Sequence, residues 1–340
     1  GRQGILSSIY HLKKNEKSFF SLDLREFDFT PLLLVLNPSL ISDEQIQGRI
    51  SGKADLKFKT GSLEFGDGIL ALDRLFLKKQ GVQISSGRPV KFSINKGTFE
   101  QSYLDLVSKS GKVTLTAKNK KNKLDGSIVG DLDLGIFEFF TSSIENTKGV
   151  IGVDLELDGK LLEPQVTGRG QFEGLAFSNP SLESPLENVT GQFQVKQNEV
   201  FINEMSATMS GGSVDANGTI SFFPYRYPEI DLDLKLGKNR VKVFPLKYLV
   251  ASGNLSVKGK ERPYLVSGSL AIDDGLITEP VLGQKKLQSQ SARFMPPPVT
   301  LESQYQPFFR FEIQAVTTKA LTLKNDLFDA KVMGNILLAG

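Results

Sequence analysis

The stretch Gly152-Val153-Asp154-Leu155-Glu156-Leu157-Asp158-Gly159 decides the fold of this chain. Apolar and acidic residues alternate in it, and a glycine stands at each end. Alternation with a period of two sends successive side chains to opposite faces of a β-strand. The stretch therefore predicts a strand with one apolar face and one charged face. Two related phrases, Gly253–Gly259 and Gly334–Gly340, predict further strands of the same kind.

The alternating pattern recurs along much of the chain, whereas long helical periodicity is absent. Ile230–Leu236, for example, puts four aliphatic residues on one face and three charged residues on the other. We predict a mostly β fold, mainly antiparallel, with at most a few short helices. A sheet that no helix covers has one continuous apolar face, and what this face contacts is the functional question.

The start of the chain is the least regular part. We predict an irregular or short helical start over residues 1–30 and a continuous repeating β region over residues 31–340. The proline-bounded apolar run Pro31–Leu36 predicts a strand, and the almost wholly apolar Ile136–Phe140 predicts a short buried helix or plug. The proline-rich segment Gln284–Pro298 predicts a connector, because proline lacks the N–H that a central strand donates.

Three landmarks indicate internal repeats. The spacing of Gly159, Pro164 and Gly168 recurs about 100 residues later in the chain. A near-constant offset is typical of duplicated supersecondary units. We predict repeat units of about 31–148, 149–250 and 251–340.

Composition excludes several classes of function. The chain has no cysteine, which excludes thiolate catalysis, disulfides and cysteine-ligated metal sites. Its single histidine, His11, has no second histidine as a metal or triad partner. The pairs Asp131/Asp133 and Asp231/Asp233 are spaced to share the polar face of a strand. We therefore predict no enzymatic activity, no cofactor and no metal.

Charge argues against a nucleic-acid partner. The chain has 41 basic and 38 acidic residues, a formal net charge of +3, and the two signs are interleaved. A basic stripe that would neutralise phosphates is missing. No nucleic-acid partner is expected.

Several phrases in the second half of the chain, taken in order, resemble the TamB family, within the AsmA-like bridge-like lipid transfer proteins. These phrases are Ile230–Leu236, Asn239–Val241, Ala251–Gly259, Leu265–Leu270, Asp274–Ile277 and the connector Arg293–Leu301. Each phrase alone is degenerate, and the order and spacing of the set carry the resemblance. It extends over about residues 110–340.

The resemblance implies a fold and a function. It implies an elongated, twisted sheet curled along its length into a taco-like hydrophobic groove. It also implies a periplasmic segment that conducts phospholipid acyl chains between the inner and outer membranes. The expected partners are phospholipid, an outer-membrane TamA-like or BamA-like barrel protein, and the inner membrane. Because this chain contains no anchor helix, we expect the inner-membrane anchor to lie outside it.

The candidate groove-lining residues are the apolar positions of the clearest strand stretches. They are Val153, Leu155, Leu157, Ile230, Leu232, Leu234, Leu236, Leu255, Val257, Leu270 and Ile272. The same positions could equally fill the core of a closed sandwich, so the pattern alone does not separate a groove from a core. Two other functions stay open: a scaffold or chaperone for outer-membrane β-barrel proteins that acts by strand addition, and a passive structural β-solenoid such as a stalk.

Overall fold

The protein is built almost wholly from β-strands. The computed structural model describes residues 3–9, 17–36, 46–59, 65–79, 81–96, 98–120, 123–139, 144–160, 163–179, 184–222, 228–241, 246–277, 309–324 and 329–339. These residues contain 21 strands, one short α-helix and one 3₁₀ segment. The prediction of a mostly β, mainly antiparallel chain with few short helices is confirmed.

Internal contacts divide the chain into two units, Gly1–Ala207 and Thr208–Gly340. The strands of the first unit are β1 (Gln3–Ile9), β2 (Lys17–Asp28), β3 (Gln47–Lys59), β4 (Phe65–Lys79), β5 (Val82–Ser86), β6 (Val90–Asn95), β7 (Thr98–Ser108), β8 (Lys112–Lys120), β9 (Lys123–Asp133), β10 (Glu145–Lys160), β11 (Glu163–Ser178), β12 (Leu186–Lys196) and most of β13 (Glu199–Met209). The helix α1 (Thr30–Leu36) and the 3₁₀ segment Leu134–Phe139 belong to the same unit. The repeat units predicted above stay a prediction.

The ladders of the first unit follow chain order. β1 to β4 form an antiparallel meander, and so do β7 to β12. Between them, the long strand β4 pairs with the two short strands β5 and β6, and both of these pair with β7. Two residues join β8 to β9 and β10 to β11, which is the hairpin length that suits the natural twist of paired strands.

The predicted irregular or helical start is wrong for the residues that the structure describes there. Residues 3–9 and 17–28 are strands β1 and β2, paired from Gln3 opposite Arg25 to Ile9 opposite Phe19. The physical reason is tertiary, because the alternating Phe20, Leu22 and Leu24 of β2 give β1 an ordered strand to pair with. His11 lies outside the described residues.

The strand predicted at Pro31–Leu36 is also wrong, since this run lies in helix α1. Proline is compatible with the first turn of a helix, where its missing N–H has no partner to lose. The backbone N–H of Thr30 donates to Asp28 Oδ1 at 3.0 Å, which caps the start of the helix. Leu33 is then buried against Ile46 and its neighbours. By contrast, the short helix predicted at Ile136–Phe140 is confirmed up to Phe139 as the 3₁₀ segment, in which Phe139 is buried but Phe137 is 36% exposed.

The strands of the second unit are β14 (Gly212–Ser221), β15 (Glu229–Val241), β16 (Leu246–Gly259), β17 (Tyr264–Ile277), β18 (Phe309–Thr317), β19 (Leu321–Lys324), β20 (Asp329–Val332) and β21 (Asn335–Ala339). β14 to β17 form an antiparallel meander. β18 and β19 then lie parallel to β17. The antiparallel pattern returns with β21 on β18 and β20 on β19. The connector predicted at Gln284–Pro298 lies outside the described residues.

Candidate functional site: the apolar strand faces

Ladder register places the predicted aliphatic residues of the second unit in rows that cross the strands. Residues directly opposite each other in a ladder project to the same face of the sheet. Written from β15 through β16 to β17, the rows are Leu232–Val257–Val266, Leu234–Leu255–Gly268 and Leu236–Gly253–Leu270. The second unit therefore has one shared apolar face, which we call the β15–β17 apolar face.

One end of this face is packed into a cluster. Val257, Tyr264, Val266 and Ile313 are buried at its centre. Packed against them, and partly buried, are Ile230, Leu232, Leu234, Leu255, Leu270 and Phe309. The structure thus brings six of the eight predicted residues of this unit into one cluster.

A second cluster lies further along the same strands. It contains the buried residues Leu249, Ile272, Ala315 and Leu321. Leu270 packs against this cluster as well as the first, so it links the two. Ile272 is 0% exposed. It is therefore part of the packed interior of the face and is not on its open surface.

The face is more open over β15 and β16. Leu232, Leu234, Leu236 and Leu255 are only partly buried, although each is a large aliphatic residue. The described part of the second unit contains no helix that could cover them. An apolar surface of this kind favours contact with another apolar group over contact with water.

Two glycines of these strands, Gly253 and Gly268, are required by close approach of neighbouring backbones. At Gly268 the φ angle is +145°, and a Cβ atom would lie 2.3 Å from the carbonyl oxygen of Asn254. At Gly253 the φ angle is +157°, and a Cβ would lie 2.2 Å from the oxygen of Ser269. Only glycine fits such positions without strain. In the register these glycines lie opposite Leu255 and Leu270.

Tyr264 closes one end of the face and was not predicted as a site residue. Its side chain is 0% exposed, and its hydroxyl donates to the carbonyl oxygen of Pro228 at 2.7 Å. Tyr264 directly follows Pro263, and the alternating pattern does not distinguish it from other apolar positions. Its partner lies two strands away, so only the folded register could identify it.

The three candidates of the first unit lie on β10. Val153, Leu155 and Leu157 are partly buried and share one face. Read from β9 through β10 to β11, their rows are Gly130–Val153–Gly170, Ile128–Leu155–Gly168 and Gly126–Leu157–Val166. The first unit therefore repeats the alternation of glycine and aliphatic residues that the second unit shows.

The two short helical segments cover another part of the first unit's apolar surface. Phe139 of the 3₁₀ segment is 1% exposed and packs with Leu33 of α1 and with Leu77 and Ile84 of β4 and β5. The gap beneath the segment, lined by Ile84 and its neighbours, holds only about 10 Å³. This is about the smallest space that accepts one water molecule, so a hydrocarbon chain does not fit there.

A buried polar contact holds the 3₁₀ segment in place. Glu138 is 3% exposed, and its Oε1 accepts hydrogen bonds from the N–H and the hydroxyl of Thr147, at 2.8 and 2.6 Å. The ammonium of Lys79, which is also buried, donates to the backbone oxygen of Glu138 at 3.1 Å. Both charged residues are thus hydrogen-bonded, as buried polar groups require.

The opposite faces of the strands carry paired charges. Lys258 Nζ lies 2.9 Å from Asp231 Oδ1, and this hydrogen-bonded carboxylate raises the pKa of Lys258. Asp105 accepts a hydrogen bond from Thr114 at 2.9 Å and lies 3.2 Å from Arg88 and 3.4 Å from Lys112. The Thr114 hydrogen bond and then these cations lower the pKa of Asp105. Among the described residues, no group of acidic residues and histidines is arranged to hold a metal ion.

Residues 202–339 match the family model described as the TamB C-terminal domain. This match assigns residues 202–339 to the TamB family. The match includes strands β14–β21 and most of β13, so the β15–β17 apolar face of this TamB domain lies inside it. A search of curated proteins and a search of solved structures each found no match.

The TamB domain at residues 202–339 supports a role in lipid or protein assembly of the cell envelope. The family is a non-enzymatic transport and assembly module. The helices in the described parts of this chain are not long and apolar enough to cross a bilayer.

Proposed function

We propose that this TamB-family chain is a periplasmic segment that conducts phospholipid acyl chains along a hydrophobic β-groove between the inner and outer membranes. The observation that carries the proposal is the partly open β15–β17 apolar face, with its row of half-buried leucines on β15 and β16. In this proposal the sheet curls around that face, and the protein is held at the inner membrane.

The energetics favour a continuous apolar surface. Two acyl chains taken from a bilayer expose about 30 CH₂ groups, which at about 0.8 kcal/mol each costs about 24 kcal/mol. A few polar contacts cannot offset this free energy, whereas a long strip of leucine, valine and isoleucine can. The charged residues Asp231, Asp233 and Lys235 project to the other face, so the headgroup can stay in water while the chains lie on the leucines.

Site-specific crosslinking tests the proposal. A photoreactive phenylalanine analogue is placed at Leu234 or Leu255, both on the open part of the face, and at Lys235 as the matched control on the opposite face. We expect phospholipid adducts from the two leucine positions and none from Lys235. Adducts of equal yield at all three positions, or at Lys235 alone, would contradict a groove on this face.

A second candidate function is strand addition to client proteins, and β1 favours it. Ile5, Leu6 and Ile9 are 59%, 64% and 57% exposed, and residues 3–9 contain neither charge nor proline. Among the ladders of the described strands, β1 takes part only in the one with β2. Natural edge strands are usually protected by charge or proline, so this edge is suited to accept another strand.

The two candidates predict different crosslinks. Strand addition predicts that Ser7 on β1 captures peptide from an outer-membrane β-barrel client or from a TamA-like or BamA-like partner. Lipid conduction predicts acyl adducts at Leu234 instead. The chemical identity of each adduct, read by mass spectrometry, decides between them.

A further inference from the structure

The polar face of the first unit contains a hollow that the lipid proposal does not use. It has a volume of about 580 Å³ and lies across strands β9 to β13. Its polar lining is Asp131, Asp154, Arg169, Gln171, Gln192, Gln194 and Asn203. The volume falls within the range of about 300–1,000 Å³ that is usual for small-ligand sites.

Ladder register explains the shape of the hollow. Asp131, Gly152, Gln171 and Gln192 form one row across β9 to β12. Gly152 has no side chain, and so the floor of the row is low at β10. A Cβ at Gly152 would lie 3.1 Å from Gln171 Cγ, which belongs to a flexible side chain that can move aside. These residues alternate with Val153 and its neighbours, so the hollow lies on the face opposite the apolar one.

The polar groups of the hollow are less satisfied than those elsewhere on this kind of face. At other places oppositely charged residues pair across strands, as Lys118 and Asp125 do at 3.0 Å. In the hollow, Arg169 and Asp154 approach only to 3.9 Å. In the part of the chain that the structure describes, Gln171 Nε2 donates to Glu173 Oε1, whereas no side-chain hydrogen bond or ion pair joins Gln192, Gln194 or Asn203 to another group. Their donors and acceptors are therefore available to a ligand.

The chemistry of the lining selects a ligand class. Each carboxamide offers two N–H donors and one oxygen acceptor, Arg169 adds donors, and the two aspartates add acceptors. The formal charge of the lining is −1, which disfavours phosphates and other anions. Val129 is the one large apolar side chain of the lining that faces the hollow, because Val153 and Phe193 face the other way. The hollow therefore lacks the apolar centre that protein interfaces use.

We propose that this hollow is a binding site for an uncharged oligosaccharide. Sugar hydroxyls both donate and accept hydrogen bonds, so they match a surface that mixes carboxamides with carboxylates and a guanidinium. Four strand spacings at about 4.8 Å give the hollow a length of about 19 Å, which suits a linear glycan lying across the strands. The site is on the face away from the apolar groove, so binding does not depend on lipid transport.

Titration of the purified chain with cellotetraose and with chitotetraose, followed by NMR or calorimetry, tests the proposal. We expect at least one of the two to bind with a dissociation constant on the order of 1 mM or tighter. The double variant Gln192→Ala/Gln194→Ala should weaken that binding at least about tenfold. Gln165→Ala is the matched control, because Gln165 is an exposed glutamine on the same face of β11 but outside the hollow.

A filling variant separates shape from polarity. Gly152→Leu raises the floor of the hollow and removes no hydrogen-bonding group, and it should abolish binding while circular dichroism stays that of a folded β protein. Binding that survives both Gly152→Leu and the glutamine double variant would overturn the assignment, and so would the failure of both sugars to bind the unmodified chain.

Discussion

The ring of Tyr264 lies against Gly259, where a Cβ atom would come 3.0 Å from Tyr264 Cδ1. The glycine on β16 leaves room for the tyrosine of β17 to cross it. On the far side the hydroxyl reaches the carbonyl oxygen of Pro228, just before β15. The Tyr264 side chain thus connects β17 with β16 and with the residue that precedes β15, at the end of the apolar face.

Tyr264→Phe should lower the free energy of unfolding by about 1 kcal/mol, because it removes one hydrogen bond and leaves the Pro228 carbonyl without its partner. Tyr264→Ala should lower it by about 3–5 kcal/mol, since a large buried ring is lost. Urea denaturation measures both values. Tyr103→Phe is the control, as Tyr103 is 43% exposed. An equal loss of unfolding free energy at the two tyrosines would contradict the role of Tyr264 in connecting the strands.

Gly268→Ala should destabilise the protein by about 2–3 kcal/mol, because the φ of +145° and the Asn254 oxygen leave no room for a methyl group. The matched control is Gly81→Ala, where a Cβ would meet nothing within 4 Å. Thermal or urea unfolding of the two variants checks the difference. A Gly268→Ala variant as stable as the control would show that the strand can shift to admit a side chain.

The stability of the protein should depend on pH through Asp105. Its pKa is lowered in the folded protein, first by the Thr114 hydrogen bond and then by its cationic neighbours. A carboxylate with a depressed pKa adds stability above its unfolded value, near 3.8, and loses it as the pH falls through the lower folded value.

Comparison of wild type with Asp105→Asn tests this dependence. The unfolding free energy of the wild type should fall more steeply with acid below about pH 4 than that of Asp105→Asn. At neutral pH the variant should be the less stable of the two. Parallel pH curves for the two proteins would rule out Asp105 as the titrating group.

The 3₁₀ segment should loosen when Thr147 is changed. Thr147→Val removes the hydroxyl that donates to the buried Glu138 carboxylate and should cost about 1–3 kcal/mol. Hydrogen exchange of residues 134–139 should accelerate in the variant. Thr167→Val, an exposed position on β11, is the control and should leave both measurements unchanged.

Leu234→Arg should reduce phospholipid that co-purifies with the chain, because a charge on the open apolar face disfavours an acyl chain there. Lys235→Arg, on the opposite face of the same strand, is the control. Quantitative lipid extraction measures the effect, with circular dichroism to verify the fold. Normal lipid content in a folded Leu234→Arg protein would count against the conduit.

Alternation alone predicted the individual strands well. The opening phrase Gly152–Gly159 lies within β10, and Ile230–Leu236 lies within β15, both in strands whose apolar residues share one face. These cases succeed because period-two patterning is a local property. The glycine that begins the related phrase Gly253–Gly259 also has a physical reason, because the backbone oxygen of Ser269 leaves no room for a Cβ at Gly253.

The features that could not be predicted are those that depend on distant residues. Pro31–Leu36 is an apolar run whose length fits a strand or a helix, and contacts around Leu33 decide for the helix. Strand β1 has no clear alternation and takes its order from β2. The residue types of the candidate site were predicted. The burial of Ile272 was not, because it depends on Ala315 and Leu321, which are far along the chain.

The parallel pairing of β17 with β18 has a consequence for the order of folding. Ser256 and Ser267, in the antiparallel hairpin, are 11 residues apart, whereas Thr318 and Asp273, whose side chains hydrogen-bond beside the parallel ladder, are 45 apart. Closing the longer loop carries the larger entropic penalty, so the hairpins should assemble first. Before β18 pairs with it, β17 has unpaired backbone N–H and C=O groups along its outer edge. A partly folded molecule is therefore most prone to incorrect strand pairing there.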